Sequence, residues 1–198
     1  MTPIERILTL RTKRTILRRW RESDKDALFK YASDPDVGPR AGWTPHDDVE
    51  ESLQVIREIL SNDYTWAIVL KSTGEVIGSI AYLNQENSNI DIGKHDVEVG
   101  YWIGKPYWNQ GICTEVLSEF IKYCTGKVKA RVIWSDYFVD NPASGRVMEK
   151  CGFKSCNMFT YCTTLYGGKD RPLIIMKLKR PFISRIGSRV FHPHDSAR

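Results

Sequence analysis

Two β-branched and aromatic runs, residues 64–70 and 76–83, flank the polar five-residue turn Lys71-Ser-Thr-Gly-Glu75. Such a pair reads as an antiparallel hairpin. It narrows the accessible folds more than any other feature, because segments of helical period lie on both sides of it. Upstream, Val49, Leu53, Ile56 and Leu60 recur at spacings of 4, 3 and 4, which is one apolar stripe of a helix. Downstream, Val116, Leu117, Phe120, Ile121 and Cys124 share one side of a helix predicted over about 113–124. A hairpin excludes an all-parallel sheet, and helices that cross between later strands demand some parallel pairing.

Local signals complete the order. Residues 15–20 read as a first strand, and Ser23 with Asp26 three positions on starts a helix that stops near Ala32, ahead of Asp34-Pro35. Residues 35–45 read as a polar loop containing Gly38, Pro39, Gly42 and Trp43, after which Asp48 and Glu51 cap the second helix. Residues 84–95 form a loop and 97–103 a strand; strand 131–138, helix 142–150 and strands near 153–162 and 172–178 follow. The order β-α-α-β-β-β-α-β-α-β-β implies a single α+β domain, a mixed, mostly antiparallel sheet flanked by helices. Its expected extent is residues 12–179, with a basic C-terminal tail over 180–198.

Charge, cysteines and hydropathy set the function classes aside or keep them. The net charge is +5, but residues 1–21 hold seven Lys/Arg against one acid and residues 179–198 five against one, so the stretch between carries −5. The basic ends lack the interleaved aromatics of single-strand binders, so nucleic acid is not the expected partner. No apolar run approaches the roughly 20 residues of a membrane span, and no secretory leader is evident, so a soluble, cytoplasmic protein is expected. The five cysteines include no C-x-x-C pair, and none of the four histidines stands at a zinc-site spacing; no metal is expected, and the thiols read as small packed side chains.

The chemistry concentrates in residues 98–115. A strand ends near Gly104, a turn holds Pro106, and a helix begins at Gly111 to Cys113. Free N–H groups at a helix start make an anion site, and glycine lets a phosphate approach closely. In residues 141–153, Asn141 stands at the N-cap, Pro142 at the first helical position and Gly152 at the helix end.

Tyr101-Trp-Ile, Trp108-Asn-Gln-Gly-Ile-Cys-Thr-Glu115, Asn141-Pro-Ala-Ser144 and Glu149-Lys-Cys-Gly-Phe153 resemble the GCN5-related N-acetyltransferase (GNAT) family, and within it the branch of RimJ/RimL-type ribosomal-protein N-terminal acetyltransferases. The resemblance implies transfer of acetyl from acetyl-CoA to a primary amine, on a protein N-terminus or a small molecule, and leaves a homodimer open. It implies that the main chain of Tyr101, Trp102 and Ile103 pairs with the pantetheine arm and polarises the thioester. Gln110, Gly111, Ile112, Cys113 and Thr114 would wrap the pyrophosphate. Asn141 would bind the pantetheine arm, and Ser144 would sit near the sulfur and donate a hydrogen bond to it.

The chain departs from the family at several points. Trp108 and Cys113 replace commoner residues in the loop, a helix-start thiol at Cys113 invites a lowered pKa, and Met148 stands where relatives carry an acidic tyrosine. Glu98 ranks first as general base and Asp96 second. Trp43, with Asp47 and Asp48, and Tyr166 in the loop 166–170 mark the regions where an acceptor amine would bind. A non-catalytic acyl-CoA-binding module is the alternative, and a nucleic-acid-binding protein a more distant one.

Overall fold

The computed structural model describes residues 9–163 and 170–179. Among them eight strands form one sheet: β1 (Leu10–Arg11), β2 (Thr15–Arg18), β3 (Thr65–Leu70), β4 (Val76–Leu83), β5 (Val97–Ile103), β6 (Val132–Phe138), β7 (Lys154–Thr163) and β8 (Asp170–Lys179). Their spatial order is β1-β2-β3-β4-β5-β6-β8-β7. Every neighbouring pair is antiparallel except β5–β6. The helices are α1 (Lys25–Ala32), α2 (Gly38–Ala41), α3 (Val49–Val55), α4 (Ile112–Tyr123) and α5 (Pro142–Lys150). The α+β expectation therefore holds, and the hairpin read from the sequence is β3–β4.

Both faces of the sheet are covered, which explains why β3 is apolar without alternation. Trp66 and Ile68 join Ile77, Ile80, Val97, Val99 and Ile133 in the main core, with Val116, Leu117 and Phe120 of α4 packed on them. Ala67 and Val69 point the other way, to Leu28 and Ala32 of α1 and to Ile56 beyond α3. Burying each large aliphatic side chain contributes about 1.5–3 kcal/mol. Strand β2 stops at Arg18 rather than Trp20, because Trp20 turns into the second core and donates its indole N–H to Ser79 Oγ at 3.2 Å.

The expected loop 35–45 contains the short helix α2. Pro39 lies in its first turn and Gly42, at φ +101°, ends it. The Asp48 cap is present: its carboxylate accepts from the Glu51 N–H at 2.7 Å, while Glu51 reaches back to the Asp47 N–H at 2.6 Å.

One irregularity positions everything that follows. Strands β5 and β6 pair only at Val97↔Ile133 and Glu98↔Trp134. From there β6 leaves β5 but stays paired with β8 as far as Phe138↔Leu173. Beyond Glu98, β5 has β4 on one side and a gap on the other, spanned at its start by the Ser135 hydroxyl donating to the Val99 carbonyl at 2.7 Å.

Candidate active site

Which backbone groups face the gap follows from the antiparallel ladder. The Gly104 N–H bonds to the Ile77 carbonyl, and a Cβ on Gly78 would lie 2.3 Å from the Trp102 carbonyl oxygen. Residues 98, 100, 102 and 104 thus direct their main-chain groups at β4, and Val99, Tyr101 and Ile103 direct theirs at the gap. The Ile103 carbonyl is taken by the Trp108 indole N–H at 2.8 Å and the Val99 carbonyl by Ser135. Tyr101 therefore presents both its N–H and its C=O to the gap. Trp102, expected to contribute main chain there, instead sends its indole against Trp43, edge to face at 5.5 Å.

Two cavities meet at this gap. The first, of about 410 Å³, runs over the start of α4 and along α5, lined by Gly111, Ile112, Cys113, Thr114, Arg146 and Lys150 among others. Its floor is the turn before α4, where Asn109 (φ +59°) and Gly111 (φ +72°) both adopt the left-handed conformation. A side chain on Gly111 would meet nothing closer than Arg14 at 3.9 Å, so that side is open. Arg14 braces the turn, donating to the Gln110 carbonyl at 2.9 Å and pairing with Glu115 at 2.8 Å. The Gln110 side chain folds back onto the Pro106 carbonyl at 2.7 Å, so that of residues 110–114 Gln110 alone does not line the cavity. Burial pushes the Cys113 thiol up to about 12, which removes the lowered pKa that its place at a helix start suggested.

The second cavity, of about 420 Å³, opens beside Trp43, Asn89, Glu98, Asp136 and Phe138. Glu98 is 5% exposed. Its carboxylate accepts from the Ser88 hydroxyl at 2.7 Å and the Asn89 N–H at 2.8 Å, which pins the loop after β4 to the sheet. Asp136 sits on the neighbouring strand, and burial together with the Glu98 charge raises its pKa to about 7. Asp96, the second carboxylate expected from this strand, binds the Val132 N–H and the Trp134 indole at 3.2 and 3.1 Å and lines neither cavity.

The cavities share Arg40, Ala41, Tyr101, Trp102, Asn141 and Ser144. The Tyr101 phenol donates to the Ser144 carbonyl at 2.9 Å and receives the Ser144 hydroxyl at 3.1 Å. Burial raises its pKa far above the ordinary tyrosine value. Asn141 occupies the N-cap position of α5 but its side chain does not cap; Nδ2 donates to the Arg40 carbonyl at 3.1 Å. Together with Arg171, which binds the Pro39 carbonyl and Asp140, this contact straps α2 across the gap.

The structure thus brings Glu98, Tyr101, Trp102, Ile103, Gly111, Ile112, Cys113, Thr114, Asn141, Ser144 and Trp43 to two joined cavities, while Tyr166 lies outside the described residues. Trp43 is also anchored, its indole N–H on the Ala32 carbonyl at 3.4 Å. Sequence reasoning missed Asp136, the Tyr101 phenol, and the cations Arg40, Arg146 and Lys150. The spacing of four between Arg146 and Lys150 on one helix was a usable signal for that pair. Met148 is fully buried in the main core, so the position where the family resemblance implies an acidic tyrosine carries no proton donor. Among the described residues no His/Cys/Asp/Glu group could hold a metal ion, and no helix is long and apolar enough to cross a membrane.

Residues 14–154 match the acetyltransferase (GNAT) domain family, and the chain belongs to that family. It is 29% identical over 155 residues to the uncharacterized N-acetyltransferase p20 of Bacillus licheniformis, a match covering 74% of this chain and 82% of that one. In fold it resembles a GNAT-family acetyltransferase from Bacillus anthracis, with a TM-score of 0.74 at 21% identity over 86% of this chain and 98% of the other. It also resembles the Microcin C7 self immunity acetyltransferase MccE, solved in complex with acetyl-CoA and AMP, with a TM-score of 0.67 at 16% identity over 85% and 93% of the two chains.

Proposed function

We propose that this acetyltransferase moves the acetyl group of acetyl-CoA to a primary amine by direct attack in a ternary complex, and that residues 12–179 form its transferase domain. The observation that carries this reading is the gap beside β5, which exposes the Tyr101 N–H and C=O where two cavities of different chemistry meet. The first cavity fits a phosphate-bearing thioester. The start of a twelve-residue helix offers free N–H groups, Gly111 leaves room for close approach, and Arg146 and Lys150 add positive charge. Acetyl-CoA would supply an activated acyl group there; residues 110–114 would hold its phosphates, and the Tyr101 main chain would run beside its arm as an added strand does.

The chain's own groups then have separable tasks. The Ile103 N–H and the Tyr101 N–H are the backbone donors aimed at the gap, where they can stabilise charge on the acyl oxygen. The Ser144 hydroxyl, which donates to the Tyr101 phenol, would turn to donate to the leaving sulfur, a task that Met148 cannot perform. Asn141 can turn from the Arg40 carbonyl to the arm. Glu98 and Asp136 make the second cavity suited to an amine, and a carboxylate there can take the proton that an alkylammonium must lose before it attacks. The acceptor is a protein α-amine, as in the RimJ/RimL-type branch, or a small-molecule amine. A cytoplasmic setting suits the thiols, which are free at Cys113, Cys124, Cys151 and Cys156.

Release of free thiol from acetyl-CoA, followed across spermidine, tyramine and a serine-initiated tetrapeptide, tests the reading. Amine-dependent release is expected. Stabilisation of the protein by acetyl-CoA with no release for any acceptor would replace it with an acyl-CoA-binding module.

A further inference from the structure

We infer that Asp136, rather than the hydrogen-bonded Glu98 on the neighbouring strand, takes the proton from the acceptor's ammonium. The inference rests on the acetyl-transfer reading above and assigns the proton step within it.

The two carboxylates are not equivalent. Trp134 is the register partner of Glu98, and Asp136 lies two residues further along β6, on the same face, where the strands have already parted. Glu98 is committed: Ser88 and the Asn89 main chain occupy one of its oxygens, and the Asn89 side chain lies 3.5 Å from the other. Those bonds tie its carboxylate to the loop after β4. Asp136 is partly exposed and lines the cavity itself, and among the described residues no hydrogen bond or ion pair engages its carboxyl; burial and the Glu98 charge raise its pKa. Of the two it is Asp136, without a hydrogen-bond partner among the described residues, whose proton affinity burial and a like charge raise.

The remaining surroundings do not reverse this. Across β8 the register partner of Asp136 is Ile175, buried and apolar. From α5 the cavity receives Met148 and Ser144, from α2 Arg40, and from β5 and β6 the phenols Tyr101 and Tyr137. Arg40 is the one cation lining this cavity among the described residues, and it also lines the other cavity, over the Trp108 ring at 5.5 Å. A group that titrates near neutrality is half available as a base at physiological pH and, once protonated, remains accessible through an open cavity from which the proton can leave.

The step balances as follows. An acceptor R–NH₃⁺ enters, one N–H proton passes to the Asp136 carboxylate, and R–NH₂ remains with its lone pair. That pair forms the N–C bond to the acyl carbon as the C–S bond breaks. A second nitrogen proton reaches the sulfur by way of Ser144 or water, giving the amide and the free thiol, while Asp136 returns its proton to solvent. The acceptor class that fits is an alkylamine protonated at neutral pH, not an arylamine that is already neutral.

The test uses the full chain, acetyl-CoA and the fastest acceptor of spermidine, tyramine and a serine-initiated tetrapeptide. Wild-type kcat/KM for the acceptor should rise with pH through the neutral range. Asp136→Asn should lower kcat about 100-fold or more with the KM for acetyl-CoA unchanged. Glu98→Gln should keep substantial activity but move the rising limb to lower pH, because the like charge is gone. Carbon-13 titration of the Asp136 carboxyl should show the same downward move without any turnover. Asp136→Asn should also raise Tm by an amount that grows from about pH 4 to about pH 7 and then levels off, because over that range the carboxyl ionises in the unfolded chain before it does in the folded one; this separates loss of a base from loss of the fold. Thiol release with Asp136→Asn within threefold of wild type, or a rising limb unmoved by Glu98→Gln, would overturn the inference while leaving acetyl transfer intact. No thiol release with any acceptor would overturn acetyl transfer itself and the proton assignment with it.

Discussion

The two cavities that meet beside β5 are built from different materials. The first is made of main chain: a left-handed turn at Asn109 and Gly111, a helix start, and the unpaired N–H and C=O of Tyr101. The second is made of side chains drawn from far apart, Trp43 from the segment after α2, Asn89 from the loop after β4, Glu98 from β5 and Asp136 from β6. Backbone sites recognise what is constant, such as phosphate and amide groups, because any sequence that makes the turn makes the site. Side-chain sites recognise what varies. A single donor serving many acceptors would be expected to use this division.

Substitutions at either end can break that contrast. The largest effect is expected from Gly111→Val, which forces a β-branched residue to φ +72° at the mouth of the first cavity. The turn should relieve strain of about 2 kcal/mol by leaving this conformation, and recovering it on binding should cost up to about 30-fold in acetyl-CoA affinity, read by calorimetry. The Asp136 titration in the second cavity should not move. If acetyl-CoA affinity is retained, the main-chain account of the first cavity fails.

A smaller change is expected at the junction. Ser144→Ala removes one hydrogen bond to the departing sulfur and should lower kcat by about tenfold, with little change in the KM for acetyl-CoA. Steady-state kinetics decide it; unchanged turnover removes Ser144 from the reaction. The mildest case is the double substitution Arg146→Ala with Lys150→Ala. Both residues are exposed, so each should weaken acetyl-CoA binding by only about 0.5 kcal/mol, and the loss should shrink as salt rises from 0.05 to 0.5 M. A loss that salt does not affect would mean that they act by shape, not by charge.

The same division decides what could be read before the structure. Glycine, proline and capping signals mark the Gly111 turn and the Asn141 start of α5 in local sequence, and the family resemblance, not that punctuation, joined them with Thr114 and Ser144 as one expected site. Asp136 was not legible. In the run Val132–Phe138 it looks like an ordinary solvent-facing strand carboxylate, and only the parallel pairing of β5 with β6 sets it against Glu98. Asn141 was half legible: its place at the start of α5 is a local property, whereas its bond to the Arg40 carbonyl joins residues 101 positions apart. The Tyr101 phenol was hidden for another reason: its partner Ser144 lies 43 positions away, on α5. Helix α2 was missed because four residues are too few to show a period.

The parting of β5 from β6 also sets a clock along a single strand. The amides of Gly100 and Trp102 are locked to β4, whereas that of Tyr101, between them, has no ladder partner among the described residues. In heavy water the locked pair should keep their protons long after Tyr101 has traded its own. When the gap is filled by a bound arm, that alternation should vanish, so one slow amide gained between two slow neighbours would report occupancy of the site before any acceptor is known.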